Sequence, residues 1–399
     1  MISLFLVVVV TIVLLLSSTT AAETTTTSTS IASPSKDKKT LVTFAYSEHS
    51  EDHKSNLEYF LTFGLPKTIE SNFHVLIVIN GESMIDFSSY ISNELQDKVV
   101  WLYNRGNEGF DFSAWGDGHS YLFNDCLSWE WMKKLGDSDG SSSITEKSSN
   151  PNYYSYFLFL NASVKGPILP FTPFYNHKRK VFDLPHSSDL LSMDKYPQFQ
   201  LSNNYDYTTI FTKHITDKTK LVGTTFNCVV GPKRWHLQSM TLATDIIGYN
   251  YVFRPLLIEL EGKILDKTSA IYSGEVVISQ NYLDFGFDLY ALSLSSMEGI
   301  TISRANENVV DSVCKKWQGR TKYGCFDPYY EVSKTTKDLV ISDIDPLVHP
   351  FEVVFFKTNI RGGHKMDTFV AEYEEWRRGE VRVGGDGGGG NILRGSDEL

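Results

Sequence analysis

The sequence predicts an α/β domain built on a mainly parallel sheet flanked by helices, and three observations predict it. Short unbroken apolar runs recur through the first half, as in strands covered on both faces. They alternate with segments of helical period at short spacing. The chain is also long enough to bury a large core: of 399 residues, 41% are apolar and 21% charged, with 25 Phe, 21 Tyr and 7 Trp. That balance excludes a disordered or collagen-like chain.

The elements follow in order. Leu41 to Ser47, LVTFAYS, is the first strand. Asp52 to Phe63 places Leu57, Phe60, Leu61 and Phe63 on helical spacing and meets the stop signals Gly64 and Pro66. His74 to Asn80, HVLIVIN, is a second strand ended by Gly81, Ile85 to Leu95 reads as helix, and Val99 to Tyr103, VVWLY, is a third strand. Strand, helix and strand at this spacing predict right-handed βαβ units. Asp111 to Phe123 is the next helix, entered through a turn at Asn107 to Gly109. Gly136 to Asn150 is a polar insertion of low complexity, and Tyr154 to Leu160, YSYFLFL, is the fourth strand. In the second half we expect a strand within Leu221 to Val230, helices near His236 to Ile247 and Gly274 to Phe285, and a late strand at Phe351 to Asn359.

Charge and cysteine usage narrow the class. Lys and Arg number 37 against 48 Asp and Glu, a net charge of −11, which argues against a nucleic-acid partner that would need a dense basic face. Cys126, Cys228, Cys314 and Cys325 permit two disulfides in three connectivities. A local Cys314–Cys325 pair would leave Cys126 with Cys228. None lies in a CxxC, so the cysteines suggest no zinc site. The sequon Asn161-Ala162-Ser163 closes an apolar strand and is expected to be buried and unmodified.

The two ends read as addresses. Ile2 to Leu16 is an apolar run of 15 residues, short of the roughly 18 to 20 of a spanning helix. It reads as a signal peptide cleaved after Ala22 or, alternatively, as an uncleaved anchor. Glu23 to Lys39 is Thr/Ser-rich and has no core-forming period, so it reads as a flexible linker. Ser396-Asp397-Glu398-Leu399 resembles the KDEL retrieval tetrapeptides and follows a Gly-rich stretch. The expected organisation is signal peptide 1–22, linker 23–39, catalytic domain 40–378 and tail 379–399. The expected location is the endoplasmic reticulum lumen, with a KDEL-type retrieval receptor as partner; the Golgi or secretion is the alternative.

In an open parallel sheet, ligands bind outside the carboxyl ends of the strands. That nominates Tyr46 and Glu48, then Asn80, then Arg105 to Asp111, then Asn161 and Ser163. No GxxxxGKS or GxGxxG follows the first strand, and neither GxSxG nor HExxH occurs, which disfavours an ATPase, an ordinary dinucleotide-binding domain, a serine hydrolase and a zincin.

The segments LVTFAYSEHSE, VLIVINGES, YNRGNEGFDFSAW and YFLFLNASVKGPILP occur in the order and approximate spacing of the nucleotide-sugar-binding half of a known fold. Through NRGNEGFDFSAW and FLNASVKGP, residues 40 to 300 resemble GT-A fold glycosyltransferases of the rhamnan-synthesis type and related family 2 enzymes. The resemblance implies a GT-A, Rossmann-like, mainly parallel sheet flanked by helices. It also implies an inverting transfer from a nucleotide-sugar donor to a glycan or glycoprotein acceptor. Such a site must hold a diphosphate: Arg105 offers a cationic fork and Gly106 and Gly109 permit close backbone approach. Asn107 and Asp111 either contact the nucleotide or cap the helix. Tyr46, Asn80, Arg105 and Asn161 are expected around one shared hollow.

Where the family places a DxD for Mn²⁺ or Mg²⁺, this chain has Asn161, Ala162 and Ser163, neutral oxygen donors that bind a hard cation weakly. The sequence therefore leans toward a metal-independent or degenerate site. SGEVVISQNYLDFGFDLYAL resembles the segment carrying the family's base, which nominates Glu275; a first-turn Glu favoured by the helix dipole is the equal alternative. WHLQS resembles the family's "HxQS" stretch, so His236 and Gln238 are assigned to the acceptor side, with Asp245 a weaker candidate. A carbohydrate-binding protein that kept the fold without catalysis is the competing functional reading.

Overall fold

Strand β1 (Thr40–Ser47) is buried along its whole length, and the chain around it explains why. In the computed structural model, Val42, Phe44 and Tyr46 face one core and Leu41 and Ala45 the other, as the two-residue period of a strand requires. The structure describes residues 38–66, 68, 70–95, 97–104, 110–123, 133–134, 150–168, 175–176, 181–182, 206–227, 235–260, 263, 266–293, 300–308, 310–312, 354–358 and 374. All belong to the unit that begins at Lys38. The signal segment, the linker up to Asp37, Arg105 to Gly109, the four cysteines, most of the 136–150 insertion and the Gly-rich tail lie outside them.

Helix α1 (Glu51–Phe63) starts where the Ser50 hydroxyl accepts from His53 N at 3.3 Å, one of the orphan donors of a first turn. It ends at Gly64, whose added Cβ would stand 2.4 Å from the Phe60 ring. Strands β2 (Phe73–Asn80) and β3 (Val99–Asn104) follow, then helix α2 (Phe110–Leu122). Helix α2 is buried on nearly every side. Gly116 lets it lie against the Leu257 carbonyl, and Gly118 lets it lie against Val78. A glycine inside a helix costs about 1 kcal/mol relative to alanine, and this close packing offsets it.

The remaining strands are β4 (Lys133–Lys134), β5 (Tyr156–Asn161), β6 (Val164–Lys165), β7 (Tyr175–Asn176) and β8 (Val181–Phe182). After helix α3 (Thr208–Thr212) come β9 (Thr219–Asn227), β10 (His236–Leu237) and β11 (Thr241–Asp245). Helix α4 (Ile246–Gly248) runs through a π turn, Tyr249–Phe253, into α5 (Arg254–Leu260). Helix α6 (Lys267–Ala270) runs through a second π turn, Ile271–Val276, into α7 (Val277–Asp284). Strands β12 (Asp288–Ser293), β13 (Ile300–Ile302) and β14 (Phe356–Lys357) complete the described elements.

The main sheet runs β13-β12-β9-β11-β5-β1-β2-β3-β4, with β10 on β9. β1 pairs in parallel with β2 and β5, β2 with β3, and β9 with β12, while β11 inserts antiparallel between β5 and β9. Helix α1 joins one core; α2, α5 and α7 join the other, on the opposite face. The chain steps outward from β1 to β3 and then returns to lay β5 on the other side of β1. That reversal is the topological switch point of a doubly wound sheet, where a crevice opens beyond the carboxyl ends of the two strands.

The mixed α/β class with a mostly parallel centre agrees with the expectation, and two element assignments do not. Ile85 to Leu95 holds only the 3₁₀ turns Phe87–Ser89 and Asn93–Leu95. Asp86 accepts from Ser88 N and Oγ, so local side-chain bonds replace a helical ladder. Residues 236 to 245 form β10 and β11 rather than a helix, because Thr241 and Leu242 belong to a strand buried between β5 and β9, a context that overrides the local period. Of the expected late strand, residues 354–358 are described, and they hold β14, paired with β6. Among the described residues, no helix is long and apolar enough to cross a membrane.

Candidate functional site

The switch point gathers polar side chains from five elements. Asn161 ends β5 on the face that carries Phe157 and Phe159, the face covered by α2. Its Nδ2 donates to Asp111 Oδ2 at 2.6 Å, and its Oδ1 accepts from Ser163 N at 3.0 Å and Ser163 Oγ at 2.6 Å. Asn161 is 6% exposed, so its amide nitrogen is committed to this network rather than offered to a glycan. Asp111 stands in the first turn of α2, directly after Phe110, whose φ of 56° is a left-handed conformation costly for a residue with a Cβ. Strain of this type, of order 1 to 3 kcal/mol, concentrates where side-chain aim matters.

Glu275 comes from the second π turn. Its Oε1 accepts from Ser239 N at 3.3 Å and from Ser239 Oγ, and its Oε2 lies 3.3 Å from His236 Nε2. Two contacts bring it beside Asp111. Met240, next to Ser239, accepts from Asn161 N at 3.3 Å, which joins the two strand ends. Gly274, next to Glu275, packs so tightly on Phe112, next to Asp111, that a Cβ there would stand 2.5 Å from the ring. Inserted π turns recur at functional sites because the extra residue re-aims a side chain.

The electrostatics separate the two carboxyls. Burial raises the Asp111 pKa to about 7; the Glu275 charge adds to the rise, while the Asn161 hydrogen bond and Lys357 oppose it. For Glu275, burial also raises the pKa, yet the bonds and charges of His236, Ser239 and Lys357 outweigh it and the net shift is downward. Near neutral pH the site therefore pairs a carboxyl near the midpoint of its titration with an ionised one, a separation of the type that assigns acid and base roles.

The other nominated residues divide by face. Asn80 is buried at the end of β2, shares the parity of Leu76 and Val78, and so lies on the Asn161 side. Tyr46 does not: it faces the α1 core, where its hydroxyl donates to Glu48 Oε2 at 3.1 Å. Glu48 also accepts from Ser83 Oγ at 3.0 Å and Met84 N at 3.1 Å, tying the loop after β1 to the loop after β2. Burial raises the Glu48 pKa, and these bonds outweigh it and lower it overall. Asn80 and Asn161 thus share one face of the sheet and the Tyr46 side chain takes the other, because consecutive strand positions point to opposite faces. Arg105 and Asn107 lie outside the described residues.

His236 is fully buried and touches Glu275 rather than lining an open acceptor surface. Gln238 turns toward β9, where Thr225 Oγ1 donates to its Oε1 at 2.6 Å. Asp245 ends β11, antiparallel to β5 and level with Tyr156 at the far end of the sheet. There it caps α4 through Gly248 N and pairs with Lys220. Sequence reasoning passed over Ser239 as a ligand of Glu275, although it lies within the WHLQS motif, and Lys357, for which no motif spoke. Among the described residues, no group of three or more His, Cys, Asp and Glu is arranged to hold a metal ion.

No protein-family model matches the chain, and no curated protein matches it. Among solved structures, it is similar to the apo structure of WbbM, a bifunctional glycosyltransferase, at 8% identity and a TM-score of 0.26. The match covers 62% of this chain and 39% of that one, so this chain spans less than half of that protein's length. A likeness at that TM-score carries no argument about activity.

Proposed function

We propose that the chain is an inverting GT-A glycosyltransferase of the secretory pathway lumen. It moves a sugar from a nucleoside diphosphate to a glycan or glycoprotein acceptor. The observation that carries this reading is the convergence of Asp111, Asn161, Ser163 and Glu275 at the switch point of the sheet, where a doubly wound fold binds nucleotides. The motif resemblance that nominated these residues is independent of their being neighbours.

In this reading the donor lies over the carboxyl ends of β1 and β5, beside Asn80, Asn161 and Ser163. Glu275 takes the proton from the acceptor hydroxyl, and its ionised state near neutral pH suits it to that task. Ser239 and His236 hold the carboxylate in place. Glu48, which accepts from the buried Tyr46 hydroxyl, joins the loop after β1 to the loop after β2. The lumenal address rests on the terminal sequences alone.

Calorimetry of the purified full chain with UDP, GDP and dTDP sugars, with and without Mn²⁺, tests the reading. Nucleotide-sugar binding followed by transfer to a glycan acceptor supports it. Glycan binding with no nucleotide heat would instead identify a non-catalytic carbohydrate binder.

A further inference from the structure

At this site the neutral residues standing at the DxD positions are engaged with each other. Asn161 Oδ1 is turned to Ser163, and its Nδ2 to Asp111. The carboxyl of Asp111 is faced by Asn161 from β5, by Glu275 from the second π turn and by Lys357 from β14. Lys357 also acts on Glu275, which His236 faces from β10. A divalent cation needs converging ionised oxygens; here a lysine lies within electrostatic reach of both carboxyls, and the donor set does not suit Mn²⁺ or Mg²⁺.

Resting on the transferase reading above, we infer that Asp111 works in its protonated form, donating a hydrogen bond to the departing diphosphate, and that with Lys357 it stands in for the divalent cation. The geometry orients that proton. Asp111 Oδ2 accepts from Asn161, so the hydrogen resides on Oδ1, which makes no hydrogen bond among the described residues. Phe110 and Phe112 fix the carboxyl from both sides, the first through its left-handed backbone and the second through its packing on Gly274. In the transfer, the acceptor oxygen bonds to the anomeric carbon as the bond from that carbon to the diphosphate oxygen breaks, and the electron pair leaves with the diphosphate. The hydroxyl proton passes to Glu275. Asp111 keeps its own proton, and its hydrogen bond and the Lys357 charge stabilise the oxygen that gains charge.

Two measurements on the full chain test this. The first needs no ligand. A carboxyl whose folded pKa is raised to about 7 from 3.8 gives stability at low pH that is lost as pH climbs between those values. Asp111→Asn should therefore match the parent near pH 4 and unfold at a higher temperature above pH 7; equal or lower stability at pH 8 overturns the inference. The second is transfer in EDTA. The expected rate stays within twofold of the untreated rate, and the parent's activity declines above about pH 7 while Asp111→Asn loses that decline and keeps at least a tenth of the rate. Asp111→Ala should fall by about a hundredfold or more. If chelation abolishes transfer and Mn²⁺ restores it, this inference fails while the transferase reading stands. If no nucleotide sugar binds, the transferase reading fails and takes the inference with it.

Discussion

In the proposed transfer, Glu275 is the residue on which the chemistry turns. A positioned base contributes about 10² to 10⁴ in rate, so Glu275→Gln should lower kcat by at least a hundredfold while nucleotide-sugar affinity, read by calorimetry, stays the same. Activity within tenfold of the parent would remove Glu275 from the base role. His236 acts on it from 3.3 Å and helps hold its pKa down. His236→Ala should therefore raise the Glu275 pKa and move the acid limb of the kcat/KM profile to higher pH; an unmoved limb would show that His236 does not tune the carboxylate. At this scale the sequence nominated Asp111, Asn161, Ser163, Glu275 and His236, all of which meet in one network. It also grouped Tyr46 with them, and that failed because motif order says nothing of which sheet face a side chain takes. Gln238, just beyond the end of β10, accepts from Thr225 of β9, a pairing between distant segments that no local motif encodes.

At the scale of elements, the second π turn does what an ordinary helix would not. It places Gly274 flat against Phe112 and so brings the first turn of α2 to Glu275. Gly to Ala within a helix normally stabilises by roughly 0.5 to 1 kcal/mol. Here Gly274→Ala forces a Cβ to within 2.5 Å of an aromatic ring, and overpacking of this type costs about 1 to 3 kcal/mol. Urea unfolding should thus show a lower midpoint for the variant; a stabilised variant would mean that the turn yields and does not clamp the site. The helical period over 274–285 was legible in the sequence, but the extra residue per turn was not, since it depends on what the neighbouring helix presents.

For the whole molecule, pH sensitivity has a second source, farther along α2 than Asp111. His119 is buried in α2 between Thr43 Oγ1 and the Tyr249 hydroxyl, each at 2.7 Å, and burial, with a smaller push from Arg254, lowers its pKa to about 3. A histidine depressed from 6.5 gives stability that is present above that value and is lost as pH falls toward 3, at about 1.4 kcal/mol per pH unit. His74, lowered to about 4 chiefly by burial, adds to the same slope. His119→Gln should be less stable at pH 7, because removing the ring disturbs two buried hydroxyls at about 1 to 3 kcal/mol. It should also lose stability less steeply between pH 6.5 and pH 4 in urea titrations. Parallel slopes for parent and variant would exclude a protonation role for His119.

Much of the architecture was readable from β1, β2, β3 and β5, whose apolar runs are short and rich in β-branched and aromatic residues, as strands buried on both faces are. The stops at Gly64 and Gly81 and the charge balance were equally local facts. Strand order was not local. β11 lies in a stretch that the sequence assigns to a helix, His236 to Ile247, and is a strand because β5 and β9 supply its hydrogen bonds. The protonation of Asp111 and Glu275 belongs to the same class, since two carboxyls separated by more than 150 residues acquire opposite pKa shifts only when packing sets burial, His236, Asn161 and Lys357 around them. Local chemistry selects what each segment is; desolvation and pairing between distant segments decide what its side chains do.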